Sequence, residues 1–405
     1  MQNFRPKKRN SFNSFSRGPR KPAFGNFNRR PQSQKRRRGE FIDIFKFVSK
    51  AKPISDDNKV EIKHTFLDYG FDNKINQNLI DIGYVTPTAI QDQSIAEIIK
   101  GRDLIGLANT GTGKTAAFLL PLINKCQKDD RQNVLIIAPT RELAQQIDQE
   151  FKKFAKNIRL YSTVCVGGVP ISKQIIDLRR CPHFVIGTPG RLKDLRDRNK
   201  INFAVFQNIV LDEIDRMLDM GFVDEIKRIL AELPEKRQSL FFSATIPTKI
   251  EVLVQQFLNN PVTVKTITGQ TAANVDQDIV RASAENKFDK LKDILIQAEL
   301  KKVLIFSETK RDVEKLAKNL SISGFKADSI HGDKRQSQRQ KALAKFKQDE
   351  IQILVATDVA ARGLDINNVS HVINYTIPQT YTDYIHRIGR TGRGTKSGQA
   401  LTFVE

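Results

Sequence analysis

The chain has 405 residues, a net charge of +22 and three cysteines. That length suffices for two medium α/β domains and a tail, and no apolar run approaches the roughly 18 residues of a membrane span. Cys126, Cys165 and Cys181 lack CxxC or metal-ligand spacing, which excludes a disulfide scaffold and fits reduced thiols of an intracellular protein.

The charge is uneven. Residues 1–39 hold 13 Lys/Arg and no acid, leaving 54 basic against 45 acidic residues for the remainder. Isolated phenylalanines (Phe4, Phe12, Phe15, Phe24, Phe27) repeat at neither a helix nor a strand period, so 1–39 reads as a disordered basic tail. Its arginines suit phosphates and its rings suit exposed bases. A solubilising or targeting arm, with a nuclear-type address at 35–38, is the plainer reading. Charge alone fits RNA, DNA or an anionic membrane surface. Residues 40–61 read as a weakly ordered connection. The N-terminus has no apolar stretch of the kind that directs secretion, so a cytoplasmic location is expected.

From about residue 62 short apolar strands alternate with amphipathic helices. The runs 134–138, 184–187, 209–211 and 240–242 suit strands covered on both faces, with helices at 141–154 and 222–233 between them. A Thr/Gly/Ala-rich stretch, 266–275, reads as a linker. The pattern then restarts, with strands at 303–306, 327–330, 353–356, 372–374 and 400–403 and helices at 311–321 and 337–346. The expected fold is α/β: two tandem domains, 62–265 and 276–405, each a mostly parallel sheet flanked by helices.

Only the first domain carries ANTGTGKT, at 108–115, between an apolar strand and an apolar helix start. Gly111 and Gly113 let backbone N–H groups converge on a phosphate, and the helix N-terminus adds positive potential. Lys114 would reach the β- and γ-phosphates, and Thr115 would ligate Mg²⁺. Asp212-Glu213-Ile214-Asp215 follows the strand 209–211, at the strand end where open α/β sheets place their chemistry. Asp212 is a direct or indirect partner for Mg²⁺, and Glu213 is the candidate to orient and deprotonate water. Ser243-Ala244-Thr245 is either a plain helix cap or a bridge from the acidic motif to the second domain. In HRIGRTGR, 386–393, Arg387, Arg390 and Arg393 recur every third residue, which on a helical turn would share one broad face. Such a cluster calls for an anion: a γ-phosphate, or an RNA backbone.

Together these motifs resemble the DEAD-box family of ATP-dependent RNA helicases, over about 66–405, and the run 215–222 resembles its bacterial members. The resemblance implies RecA-like domains, ATP and Mg²⁺ as cofactors, and RNA as partner. GYVTPTAIQ at 83–91 resembles the Q motif, in which Gln91 reads adenine while Phe66 stacks on the base. Thr110, Gly111, Thr112, Gly113, Lys114 and Thr115 would bind nucleotide, joined by Gly363 and Asp365. Pro139-Thr140-Arg141, Gly167-Gly168 and Thr188-Pro189-Gly190-Arg191 resemble RNA-backbone motifs, suited to phosphates and 2′-hydroxyls rather than base edges. Arg339, Thr357 and Asp358 would join them from the second domain. Arg390 and Arg393 resemble γ-phosphate fingers; Asp215, Ser243, Thr245, His386 and Arg387 resemble residues that couple the domains. Ile214 stands where alanine is customary, and Asn109 where Gln or Glu is usual. The implied activity is an RNA-dependent ATPase that unwinds short duplexes or remodels RNA–protein complexes. A monomeric core is expected, with an additional RNA or protein contact by 1–39. A DNA-tracking motor and an ATP-dependent RNA clamp are the rival readings.

Overall fold

The computed structural model describes residues 42–51, 62–109, 111–245, 248–266, 274–297, 300–361, 369–392 and 397–405. The basic tail, Thr110, Gly363, Asp365, Arg393 and most of the expected linker lie outside the described residues.

The first half is a parallel sheet. In chain order its strands are β1 (Leu104–Leu107), β2 (Val134–Ile137), β3 (Ser162–Cys165), β4 (Phe184–Gly187), β5 (Asn208–Asp212), β6 (Gln238–Ser243) and β7 (Val262–Lys265). In space they run β3-β4-β2-β5-β6-β1-β7. The second half is also parallel: β8 (Val275–Arg281), β9 (Val303–Phe306), β10 (Ala327–Ile330), β11 (Ile353–Ala356), β12 (His371–Asn374) and β13 (Gly398–Val404), ordered β10-β11-β9-β12-β13-β8. These are the two tandem RecA-like halves expected.

Helices cover both faces of each sheet. The central strands are therefore apolar without alternation; every residue of β1, β2, β4, β9 and β11 is buried. Thr140 illustrates how the sequence starts a helix. Its extended backbone and its hydroxyl, accepting from Leu143 N–H at 3.2 Å, open the helix Arg141–Phe154, with Glu142 in the first turn. Leu143, Ile147, Phe151 and Phe154, at helical spacing, then go into the core.

The strand order decides where the chemistry can be. β5, β6 and β1 are adjacent, with Asp212 opposite Phe242 and Ser243 opposite Leu107. Three strand ends about 4.8 Å apart thus carry the acidic motif, Ser243 and the loop 108–115. The close fit of β1 to β6 depends on Gly106, where a Cβ would lie 2.5 Å from the ring of Phe242. That ring is fully buried against Phe118, centroids 5.4 Å apart. Gly106→Ala is expected to cost about 1–3 kcal/mol by overpacking. A urea midpoint equal to that of the parent would contradict this packing.

Two expectations change. Residues 42–51, read as a loose connection, form a 3-10 turn at Ile44–Phe47 and a bridge from Ser49 to Gln277. The arginine-bearing helix does not continue through its motif: Tyr381–Ile388 is capped at Gly389, so Arg390 leaves from the turn beyond. Arg387 and Arg390 therefore do not lie on one continuous helix.

Candidate active site

The loop after β1 is braced from behind. Thr88 Oγ1 donates to Thr112 O at 2.7 Å, and Gln91 Nε2 donates to Gly113 O at 3.1 Å. Gly113 has φ 89°, and a side chain there would collide with the Gln91 amide. The Gln91 Oε1 accepts from Thr88 N–H at 2.9 Å, so both ends of the amide are used inside the protein. Gln91 thereby helps to shape the loop. Phe66 is 4% exposed, its ring packed against Tyr69 and Tyr84.

Lys114 opens the helix Lys114–Lys128 and is buried, its ammonium donating to Ala108 O at 2.9 Å. Thr115, half-buried, follows it. The charge faces the acidic motif. Asp212 at the end of β5 is 2% exposed, and burial pushes its carboxyl up to about 7, with Glu213 adding to the rise and Lys114 opposing it. Its Oδ1 is buried and has no hydrogen-bond partner. A hard cation held by one or two carboxylates and by phosphate oxygens matches such an orphaned oxygen. No group of three or more metal-ligating side chains exists among the described residues, so the protein alone offers no complete cage.

Glu213 sits in the left-handed region, φ 54° and ψ 50°, a conformation that costs a non-glycine residue about 1–3 kcal/mol. Its carboxylate meets Arg216 Nη1 at 3.1 Å, and both side chains are buried. Arg216 was not singled out from the sequence; its position three residues on, one helical turn away, is the signal that could have found it.

Asp215 accepts from the backbone N–H groups of Ala244 and Thr245, at 3.1 and 3.0 Å, and from Thr245 Oγ1 at 3.1 Å. Burial opposes its ionisation, but Lys114, Arg216 and His386 outweigh burial and hold the carboxyl below the usual range. His386 belongs to the second half, so the acidic motif, 243–245 and the helix Tyr381–Ile388 are brought together.

Arg387 goes elsewhere. Its Nε and Nη2 form a two-point pair with Asp358, at 2.6 and 2.7 Å, while Nη1 donates to Thr376 O at 2.7 Å and Asn374 Oδ1 at 3.2 Å. With every edge of the fork engaged, Arg387 does not couple to the acidic motif; it ties its own helix to the end of β11. Asp358, expected on the RNA side, is occupied by that pair. Arg390 is 3% exposed in the turn after the helix.

A cavity of about 430 Å³ gathers the remaining motifs: Pro139, Thr140, Arg141, Gly167, Thr188, Gly190 and Arg191 from the first half, with Arg339 from the second. Gly168, φ 74°, lies beneath the Arg141 guanidinium, which would collide with a side chain there. Pro189 starts the helix Pro189–Asp197 behind Thr188, and Thr357, buried, follows β11. One side of this cavity is an ion pair between the halves. Glu142 accepts from Arg339 Nη2 and from Gln336 Nε2, each at 2.9 Å, with all three side chains buried. The pairing of Glu142 with Gln336 and Arg339 was not legible in the sequence, because charge patterning along a chain does not reveal a partner 194 residues away.

The fold and the site define a protein of two RecA-like halves with a phosphate-binding loop in the first. Residues 88–253 match the DEAD/DEAH box helicase family and residues 286–395 the helicase conserved C-terminal domain. The chain belongs to the DEAD-box helicase family. It is 44% identical over 342 residues to the ATP-dependent RNA helicase CshA of Listeria monocytogenes, covering 84% of this chain and 66% of that one. It is 44% identical over 344 residues to the RNA helicase CrhR of Synechocystis, covering 84% and 70%. The solved structure of S. cerevisiae Dbp5 bound to RNA and ADP BeF3 aligns with TM-score 0.76 and 28% identity, covering 85% and 90%. The chain thus spans somewhat less than two thirds of the length of several CshA relatives.

The buried pair between the halves makes a quantitative expectation. Glu142→Ala leaves the Arg339 guanidinium buried without its carboxylate and is expected to cost about 3 kcal/mol or more. Adding Arg339→Ala should recover part of that cost, a coupling of about 1–3 kcal/mol in a double-mutant cycle read by urea unfolding. Strict additivity would contradict the pair.

Proposed function

We propose that the chain is an RNA-dependent ATPase and ATP-dependent RNA helicase that locally unwinds short duplexes or remodels RNA–protein complexes. The observation that carries this reading is the buried cluster of Lys114, Asp212, Glu213 and Asp215 beside a phosphate-binding loop, with His386 of the second half acting on it. Kinship with RNA helicases, and a fold shared with Dbp5 bound to RNA, support RNA over DNA as the partner.

In this reading Gly111, Thr112 and Gly113, with Thr110, wrap the phosphates with backbone N–H groups, and Lys114 releases Ala108 O to meet them. Phe66 and Gln91 border the base; the Gln91 contact to Gly113 links base recognition to loop shape. Thr115 and Asp212 would hold Mg²⁺, which would supply positive charge to the phosphate oxygens. Glu213, strained and fixed by Arg216, orients and deprotonates the attacking water. Arg390 and Arg393 meet the charge that develops on the transferred group, with Gly363 and Asp365 beside the ribose and phosphates. The 430 Å³ cavity takes an RNA backbone, which suits low sequence specificity.

The same reading treats 62–265 and 276–405 as the two domains, joined by 266–275, with a monomeric core. The basic segment 1–39 adds an RNA or protein contact. A cytoplasmic location is part of the same proposal; no helix among the described residues is long and apolar enough to cross a membrane.

The test is ATP turnover with and without RNA. Single-stranded RNA is expected to stimulate turnover, and DNA of the same sequence is not. Glu213→Gln should keep nucleotide affinity while losing about 10²-fold or more in turnover; Lys114→Ala should lose the affinity itself. Equal stimulation by DNA would replace the proposed partner, and near-normal turnover in Glu213→Gln would remove its assignment as base.

A further inference from the structure

Residues 42–51 precede the first half in sequence, yet they pack on the second. Asp43 opens the turn Ile44–Phe47 by accepting from Phe45 N–H at 3.0 Å. Ser49 and Gln277 of β8 then exchange two backbone bonds, Ser49 N–H to Gln277 O at 3.0 Å and the return at 2.8 Å. Ala51 N–H donates to Asp276 Oδ1 at 2.9 Å. β8 is the edge of its sheet, so this segment satisfies backbone groups that would otherwise face water.

The segment also reaches the helix that leads to Arg390. Phe47 is fully buried, and its ring meets Tyr384 edge-on, with centroids 4.7 Å apart and planes at 61°. Tyr384 lies in the middle of the helix Tyr381–Ile388, and its hydroxyl donates to Gln277 Oε1 at 2.9 Å. Gln277 therefore holds the segment with its backbone and the helix with its side chain. Lys46 adds a cation 5.3 Å over the Tyr381 ring. The turn beyond Arg390 touches the same strand: a Cβ at Gly392 would come within 2.7 Å of Val275. Segment, β8, helix and turn are one packed unit.

On the other side, the chain is anchored to the first half within a few residues. Lys63 and His64 N–H groups donate to Asp92, at 3.0 and 3.2 Å. The stretch 42–64 thus ties the halves together covalently, in addition to the expected linker.

We propose that residues 42–51 are a strap belonging to the catalytic unit, and that Phe47 is a positioning residue for Arg390. By filling the space behind Tyr384, Phe47 sets where the helix ends and hence where Arg390 is presented. This rests on Arg390 acting at the γ-phosphate, as read above. A simple staple would lower stability and leave turnover per folded molecule alone. A positioning residue lowers kcat and leaves the ATP KM, set mainly by the loop of the first half, almost unchanged.

The test uses the full chain in RNA-stimulated ATP turnover, alongside amide hydrogen exchange of residues 381–388. Phe47→Ala and Ser49→Pro, which removes the donor to Gln277, are each expected to lower kcat on the order of tenfold or more. The ATP KM should stay within about twofold, Phe47→Leu should restore most of kcat, and exchange in 381–388 should quicken in the two disruptive variants. Should Phe47→Ala fail to fold, Ser49→Pro decides. Unchanged kcat in folded Ser49→Pro, or unchanged exchange in 381–388, overturns the proposal. An inert parent protein would sink the ATPase reading instead, while the exchange experiment still reports whether the strap holds the helix.

Discussion

Three carboxylates within four residues, buried at the end of a strand, are the constraint around which this structure is arranged. Water does not reach Asp212, Glu213 or Asp215 to any extent, so each needs a compensating charge or donor. Lys114 faces the group from the phosphate-binding loop, Arg216 pairs with Glu213, and the 244–245 backbone with Thr245 satisfies Asp215. Asp212 keeps a buried oxygen without a hydrogen-bond partner, and burial raises its carboxyl. Parallel strand order makes this arrangement unavoidable: with β6 between β5 and β1, the three strand ends meet at one edge.

The second half enters this balance by charge as well as by packing. His386 lowers the Asp215 carboxyl, and Arg339 with Gln336 meets Glu142. Both connections run from motifs of the first half to motifs of the second. Each costs desolvation unless its partner is present, which makes the relation between the halves sensitive to whatever anion lies between them. The strap adds a covalent constraint to these polar ones.

Much of the fold was legible because parallel, doubly covered strands read as short apolar runs. The helix Arg141–Phe154 matches its expected span residue for residue, since Thr140 and the 3.6 period mark it unambiguously. Exposed or mixed strands were harder to see: β3 alternates buried and half-buried residues, and β8 carries Asp276 and Asp278. The site motifs were legible as local strings, but their pairings were not. Arg387 seeks Asp358 rather than the acidic motif because bidentate geometry and burial, not spacing, choose its partner. Phe47 stood in a segment too short for any period to be visible. Its significance lies in Tyr384, 337 residues further along.

The central claim is that nucleotide and RNA act on one another through contacts between the halves, so each must tighten the other by the same factor. The direct measurement is the affinity for a short single-stranded RNA with and without a non-hydrolysable ATP analogue, together with the reciprocal titration of the analogue. The expected result is a matching gain of about 5–150-fold in both directions. Affinities that are independent of one another would contradict the account.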